Sequence, residues 1–155
     1  VTRVRNRPFL LICCVAALAA CAHVPRSGGL ETLKPAIETF HQRVRWKDYR
    51  GATELLVPER RAAFEKARMD LNDSRDLSIT DYQLEDVRLV DDGMRAIVVS
   101  RISWVRLPST SEHPDLVTSE FVFQNNAWQL ARQDLGPFAP EMQAPYLEWS
   151  QPDAG

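Results

Sequence analysis

Apolar residues at Leu33, Ile37, Phe40 and Val44 step by four, three and four, the spacing of one face of an α-helix. Thr32 is the expected N-cap, and Pro35 then falls in the first turn, where backbone N–H groups have no helical partner. A second helical stretch carries Tyr49, Ala52, Leu55 and Leu56 and halts before Pro58. A third begins near Pro58 and repeats apolar character at Ala63, Phe64, Ala67 and Leu71, with Asn72-Asp73-Ser74 as its end.

The period then changes. Leu84, Val87 and Leu89 lie in a strand-like run over 78–90 whose alternation requires a bulge. Asp91-Asp92-Gly93 is a hairpin signal, and Met94 to Leu107 is rich in β-branched residues and apolar on both faces near Ile97-Val98-Val99. Val117, Phe121 and Phe123 mark a third strand, and Gln124-Asn125-Asn126 turns into Ala127-Trp128-Gln129-Leu130. Helices first and an antiparallel meander afterwards predict an α+β fold, with N-terminal helices packed on a curved sheet of about four strands.

Ahead of this domain stands a three-part segment. Arg3, Arg5 and Arg7 are followed by an uncharged run, Phe9 to Ala20, too short to span a bilayer core of ~30 Å but suited to an export signal. Leu18-Ala19-Ala20-Cys21 resembles the lipobox of bacterial lipoproteins. That resemblance implies a diacylglyceryl group on the Cys21 thiol and cleavage that leaves Cys21 as the mature N-terminus. Ala20-Cys21-Ala22 is also an acceptable site for plain signal cleavage, and a buried core helix with an incidental cysteine is a third reading. Cys13 and Cys14 would leave with the signal, so the mature protein is expected to hold no disulfide. The expected organisation is a signal over 1–20, a lipidated Cys21 and flexible tether over 21–29, the α+β domain over 30–135, and a tail over 136–155 rich in proline and aromatics.

Charge changes the picture in one respect. The chain of 155 residues carries 19 Lys+Arg and 21 Asp+Glu, so it lacks the basic excess of a nucleic-acid binder. The distribution is uneven: 30–68 holds nine bases and six acids, and 69–155 holds six bases and fifteen acids. Arg43, Arg45, Lys47, Arg50, Arg60, Arg61, Lys66 and Arg68 interleave with Glu31, Glu38, Glu54, Glu59 and Glu65, which predicts a solvated helical face, the alternative being a face held toward anionic lipid headgroups or an acidic partner.

The order of elements is similar to the NTF2-like (SnoaL-like, cystatin-type) α+β cone domains. The residues that carry this are Trp46-Lys47-Asp48-Tyr49 with Ala52 and Leu55-Leu56, then Asp92-Gly93, Ala96, Val98 and Trp104, then Asn125-Asn126-Ala127-Trp128-Gln129-Leu130. They are packing and turn positions over 30–135; the 107–115 connection and the tail stand outside the pattern. The resemblance implies a pocket between sheet and helices, where the family's enzymes place an Asp or His as general base. His41, Asp48 and Tyr49 are the nearest candidates, for an isomerase or dehydratase, but no aligned partner is visible on the strands.

No nucleophile elbow, metalloprotease helix, C-x-x-C, P-loop or dinucleotide fingerprint is present. Oxygen donors at Asp70, Asn72, Ser74, Asp76 and Asp81 mimic calcium-loop spacing, but Arg75 replaces the turn glycine and Asp81 is shorter than the usual Glu. A turn at a helix end accounts for the same residues. The tail, Pro137-Phe138-Ala139-Pro140 through Trp149, either docks on a partner or wraps its own domain, the latter being preferred because Phe138 follows the last strand directly. The expected function is a membrane-anchored cell-envelope lipoprotein, palmitate-bearing and without cofactor. Its domain is expected to bind a protein partner or a small apolar ligand and not to catalyse a reaction. Ala22, where an inner-membrane lipoprotein commonly has Asp, favours the periplasmic face of the outer membrane.

Overall fold

The computed structural model describes residues 27–143. The signal segment, Cys21, and the tail beyond Gln143 lie outside the described residues. Five helices, α1 (Leu30–Arg45), α2 (Tyr49–Glu54), α3 (Pro58–Asp70), α4 (Asp73–Asp76) and α5 (Ala139–Met142), accompany four strands, β1 (Leu77–Val90), β2 (Arg95–Arg106), β3 (His113–Gln124) and β4 (Ala127–Gln133). The strands form one antiparallel sheet in sequential order, β1-β2-β3-β4, with the helices packed against it. This is the α+β arrangement of an NTF2-like cone.

Helix α1 forms because its apolar stripe closes on the sheet: Leu33, Ile37, Phe40 and Val44 are all buried. It starts earlier than the sequence suggests. Gly29 is the N-cap residue, Thr32 lies inside the first turn with its hydroxyl donating to the Gly29 carbonyl at 3.0 Å, and Trp128 Nε1 donates to that same hydroxyl at 3.1 Å. Pro35 therefore sits in the helix interior and forfeits one i→i−4 bond. The segment before α1 is not wholly solvated. Gly28 is buried, its N–H donates to the Gly93 carbonyl at 3.0 Å, and a Cβ there would meet the Trp128 ring at 2.3 Å.

Two register shifts in β1, between Ile79 and Asp81 and between Leu84 and Asp86, account for the broken alternation; one bulge was expected and two are present. They let Leu77, Ile79, Tyr82, Leu84 and Val87 share the core side of a 14-residue strand. Asp91 and Asp92 adopt positive φ before Gly93 in the first hairpin, and Asn125 and Asn126 do so in the β3–β4 hairpin. Asn and Asp tolerate that region better than other non-glycine residues, so the turns are encoded where the sequence placed them. Strand β3 begins at His113, so the connection from β2 shortens to residues 107–112.

The sheet's two edges differ. Residues Leu55 to Val57, between α2 and α3, run beside β4: Leu130 N–H donates to the Leu55 carbonyl at 2.8 Å, and Val57 N–H donates to the Leu130 carbonyl at 3.0 Å. Among the described residues, no strand pairs with the outer side of β1.

The space between helices and sheet is filled. Phe40, Phe64, Phe121 and Phe138 are among the largest fully buried side chains, with Leu33, Ile37, Leu56, Leu77, Leu130 and Met142 around them. Phe64 and Phe138 meet at 5.4 Å between ring centroids, and Phe40 packs edge-on to Phe138 at 6.2 Å. Phe138, Ala139 and Met142, in the described part of the tail, are thus buried in their own domain. Replacing Phe64 by Ala is expected to lower the unfolding free energy by about 3–5 kcal/mol in urea titration, whereas Met69→Ala, at an exposed site on the same helix, changes it by about 0.5 kcal/mol or less.

Candidate functional site

One turn apart on α1, Glu38, His41, Gln42 and Arg45 line an open groove of about 370 Å³ with Trp46 and, from β1, Tyr82. His41 forms its floor. The imidazole stacks on Tyr82 at 3.7 Å with an interplanar angle of 20°, and it meets Phe40 edge-on at 5.5 Å. Burial removes the water that would stabilise an imidazolium, and the His41 pKa falls to about 3. Burial also raises the Tyr82 phenol; Glu38 acts in the same direction and the Ser100 hydroxyl against it. Trp46 stands 76% exposed at the end of α1. The groove is thus a neutral aromatic floor with a carboxylate and a guanidinium at its rim.

A second groove, of about 550 Å³, is lined by Tyr49, Arg50, Glu65, Arg68, Met69, Asn72 and Ser74. Behind it lies a buried charge cluster. Arg68 Nη1 is 2.8 Å from Asp73 Oδ2, and Arg106 donates from Nε to Asp73 Oδ1 at 3.1 Å and from Nη2 to Oδ2 at 3.2 Å. Arg68 Nη2 pairs with the Glu141 carboxylate. The Arg68 side chain is 3% exposed, Asp73 is 0% and Glu141 is 7%. Phe64 and Phe138 both pack against the Arg68 guanidinium, with centroids 4.8 and 4.6 Å from its central carbon and 5.4 Å from each other, so they flank it from one side. The planar guanidinium can be buried this way because it takes carboxylates at its edge while aromatic rings pack beside it. Tyr49 hydroxyl donates to the Asp73 carbonyl at 3.4 Å, and its pKa is pushed up to about 12, first by burial and then by the Asp73 charge.

Arg60 and Arg68, expected on a solvated face, are therefore interior residues. Arg60 Nε donates to the Ala131 carbonyl at 3.0 Å. Arg43 does remain at the surface, near Asp48 at 3.9 Å and Glu54 at 3.5 Å.

The three candidates for base chemistry are not brought together as a working unit. Asp48 caps α2, accepting from the Gly51 N–H at 3.0 Å, while His41 and Tyr49 serve different grooves. The oxygen donors of the calcium-like spacing are also dispersed. Asp70 ends α3 and pairs with Lys66; Asn72 adopts a left-handed conformation; Asp76 closes α4 and pairs with Arg75 at 2.7 Å; Asp81 lies on β1. The Ser74 carbonyl accepts from Lys47 Nζ at 3.0 Å. Instead of a turn, Asp73–Asp76 form one more helical turn, which aims Asp73 inward. Among the described residues, no group of three or more His, Cys, Asp and Glu side chains is placed to hold a metal ion.

Sequence reasoning missed two groupings. One is the charge cluster, whose pairs Arg68–Asp73, Asp73–Arg106 and Arg68–Glu141 are 5, 33 and 73 positions apart and leave no local pattern. The other is Trp104, which stacks on His113 at 4.5 Å and donates from Nε1 to Asp115 Oδ2 at 2.8 Å. Its signal was available: His113 and Asp115 are two apart, hence on one face of a strand.

With this geometry in view, the chain was compared with known proteins. No protein-family model matches it, and no curated protein does. Solved structures do. A SEC-C motif containing protein from Rhodopseudomonas palustris is 16% identical, with 72% of this chain and 82% of that chain covered at a TM-score of 0.54. A ketosteroid isomerase-like protein from Erwinia carotovora atroseptica is 12% identical, covering 67% and 92% at a TM-score of 0.52. These likenesses concern the fold. The chain is a small α+β domain that shares this fold with both structures at low identity.

The state of His41 has a measurable consequence. An unfolded histidine titrates near 6.5, so below that pH the unfolded chain takes up a proton that the folded chain refuses until about pH 3. Stability contributed by this group is complete above pH 6.5 and is lost as the pH falls through that window, by about 4–5 kcal/mol in all at 1.36 kcal/mol per unit. Urea denaturation of His41→Phe, which keeps the ring stack on Tyr82, is expected to show a correspondingly shallower loss between pH 6.5 and 4 than the parent chain.

Proposed function

We propose that this chain is a cell-envelope lipoprotein, anchored through acyl groups on Cys21, whose domain is a non-catalytic binding module for a protein partner or a small apolar ligand. The observation that carries the binding reading is the groove beside His41, Tyr82 and Trp46, set against an interior filled by phenylalanines. A ligand meets this domain at its surface. Trp46 offers a large flat apolar area there, and aromatic residues of this kind contribute disproportionately to binding when a partner excludes water from them.

Base catalysis is less well supported. A histidine whose pKa is about 3 is a weak proton acceptor, and it has no carboxylate orienting it among its described contacts. Asp48 is engaged at the α2 N-terminus. Likeness to a ketosteroid isomerase-like protein extends to the fold alone.

The anchoring reading is supported by the order Arg3, Arg5, Arg7, then Phe9 to Ala20, then Cys21. Each buried CH₂ of an acyl chain contributes about 0.8 kcal/mol, so several chains hold a domain at a bilayer without a membrane-spanning helix. The outer membrane's periplasmic face is the proposed address, on the strength of Ala22.

Two measurements test these readings separately. In a Gram-negative host fed an alkyne-tagged palmitate, the full chain is expected to be labelled and Cys21→Ser to be unlabelled; an unlabelled parent, or equal labelling of both, removes the anchor. For the groove, the apolar fluorophore N-phenyl-1-naphthylamine is expected to bind the parent chain at least ~10-fold more tightly than Trp46→Ala, a loss of ~1.4 kcal/mol. Equal affinity would move the binding site elsewhere.

A further inference from the structure

Three arginines of the framework hold one stretch of chain. Arg106 Nη2 donates to the Pro137 carbonyl at 3.3 Å, Arg60 Nη1 donates to the Glu141 carbonyl at 3.4 Å, and Arg68 Nη2 meets the Glu141 carboxylate. Phe138 and Met142 from the same stretch are buried between α3 and the sheet. The stretch enters through Gly136 at φ 88°, contains only the four residues of α5 as regular structure, and is tied at its far end by Gln143 Nε2 donating to the Asp134 carbonyl. It behaves as an inserted element.

Charge explains what the site selects. Arg68 on α3 and Arg106 on β2 share a single carboxylate from the rest of the framework, that of Asp73. The second negative charge arrives on Glu141. Without it, a guanidinium only 3% exposed would lie against Phe64 with one positive charge uncompensated, a costly arrangement in a poorly hydrated interior. The corner therefore calls for an anion attached to an apolar body, which is the chemistry of Glu141 together with Phe138 and Met142. Burial makes the charged form of Glu141 less favourable than in water, although Arg68 opposes this, so the present occupant fits imperfectly. Arg68 also lines the 550 Å³ groove beside Tyr49, Arg50 and Met69, which gives an outside molecule an approach.

We propose that the Arg68–Asp73–Arg106 corner is a carboxylate-binding site, occupied in this structure by the chain's own residues 136–143, and that an amphipathic carboxylate displaces them. The tether gives the self-ligand a high effective concentration, so an outside carboxylate competes at a disadvantage in the parent chain. Weakening the tethered occupant exposes the site's own affinity. This site is separate from the groove beside His41 and stands whether or not Cys21 is acylated.

The test uses sodium 4-phenylbutyrate, an aryl body with one carboxylate, titrated calorimetrically into the full chain and its Glu141→Gln variant. Glu141→Gln is expected to bind the acid at least ~10-fold more tightly than the parent and to bind 4-phenylbutanol at least ~10-fold more weakly than the acid. At saturation, amide hydrogen exchange over residues 136–143 of the parent is expected to accelerate. Gln143→Ala, which loosens the far end without touching the buried cluster, is expected to shift affinity in the same direction and serves if Glu141→Gln fails to fold. Equal affinity of parent and variants for the acid, equal affinity for acid and alcohol, or no binding to a folded variant would each overturn the proposal.

Discussion

The Arg68–Asp73 pair is the constraint around which the helical layer is arranged. Arg68 comes from the last turn of α3, Asp73 from the first residue of α4, and Arg106 from the end of β2, so one buried carboxylate ties three elements together. Withdrawing two charges from water is costly, and Arg68 Nε and Nη1 are buried without a hydrogen bond; loss of one member of such a pair still typically costs about 3–5 kcal/mol. The left-handed Asn72 makes the pairing possible, because it reverses the chain after α3 and turns Asp73 back toward Arg68. The Phe64 and Phe138 rings meet each other beside the guanidinium, which links its position to the packing of residues 138–142.

How far the sequence announced this structure depended on the range of each interaction. Helix α1, the bulged β1 and both hairpins are local statements: a 3.6-residue stripe at Leu33, Ile37, Phe40 and Val44, and Asp91-Asp92-Gly93 and Asn125-Asn126 at positions of positive φ. Those were legible. Thr32 looked like a cap because its residue type suits one, whereas the actual start was decided by Gly28 packing on Trp128, a contact across the whole domain. Arg60 and Arg68 read as solvent-facing because charged residues usually are, and nothing nearby in sequence identifies Ala131 or Glu141 as their partners. His41 stands out in the sequence as a candidate base without a visible partner; it lies one step from Phe40 on the inward side, and its stacking partner Tyr82 is on another element.

A filled interior shapes what this variant of the fold can offer. Phenylalanines meet across the space between helices and sheet, and the two grooves described lie at the rims, where α1 presents Trp46 and where α3 and α4 border Arg68. The two grooves differ in kind. One has an uncharged aromatic floor; the other is backed by paired ions whose charges balance only with the tail in place.

The unequal treatment of the sheet's borders limits how copies of the molecule can join. Leu55 to Val57 already satisfy the Leu130 N–H and carbonyl in the middle of β4, while no strand among the described residues pairs with the outer row of β1. Growth of an extended ribbon by strand addition needs two open sides per subunit. Among the described residues the longer border, that of β1, is the one left without a paired strand, so a neighbour that adds a strand finds its template there.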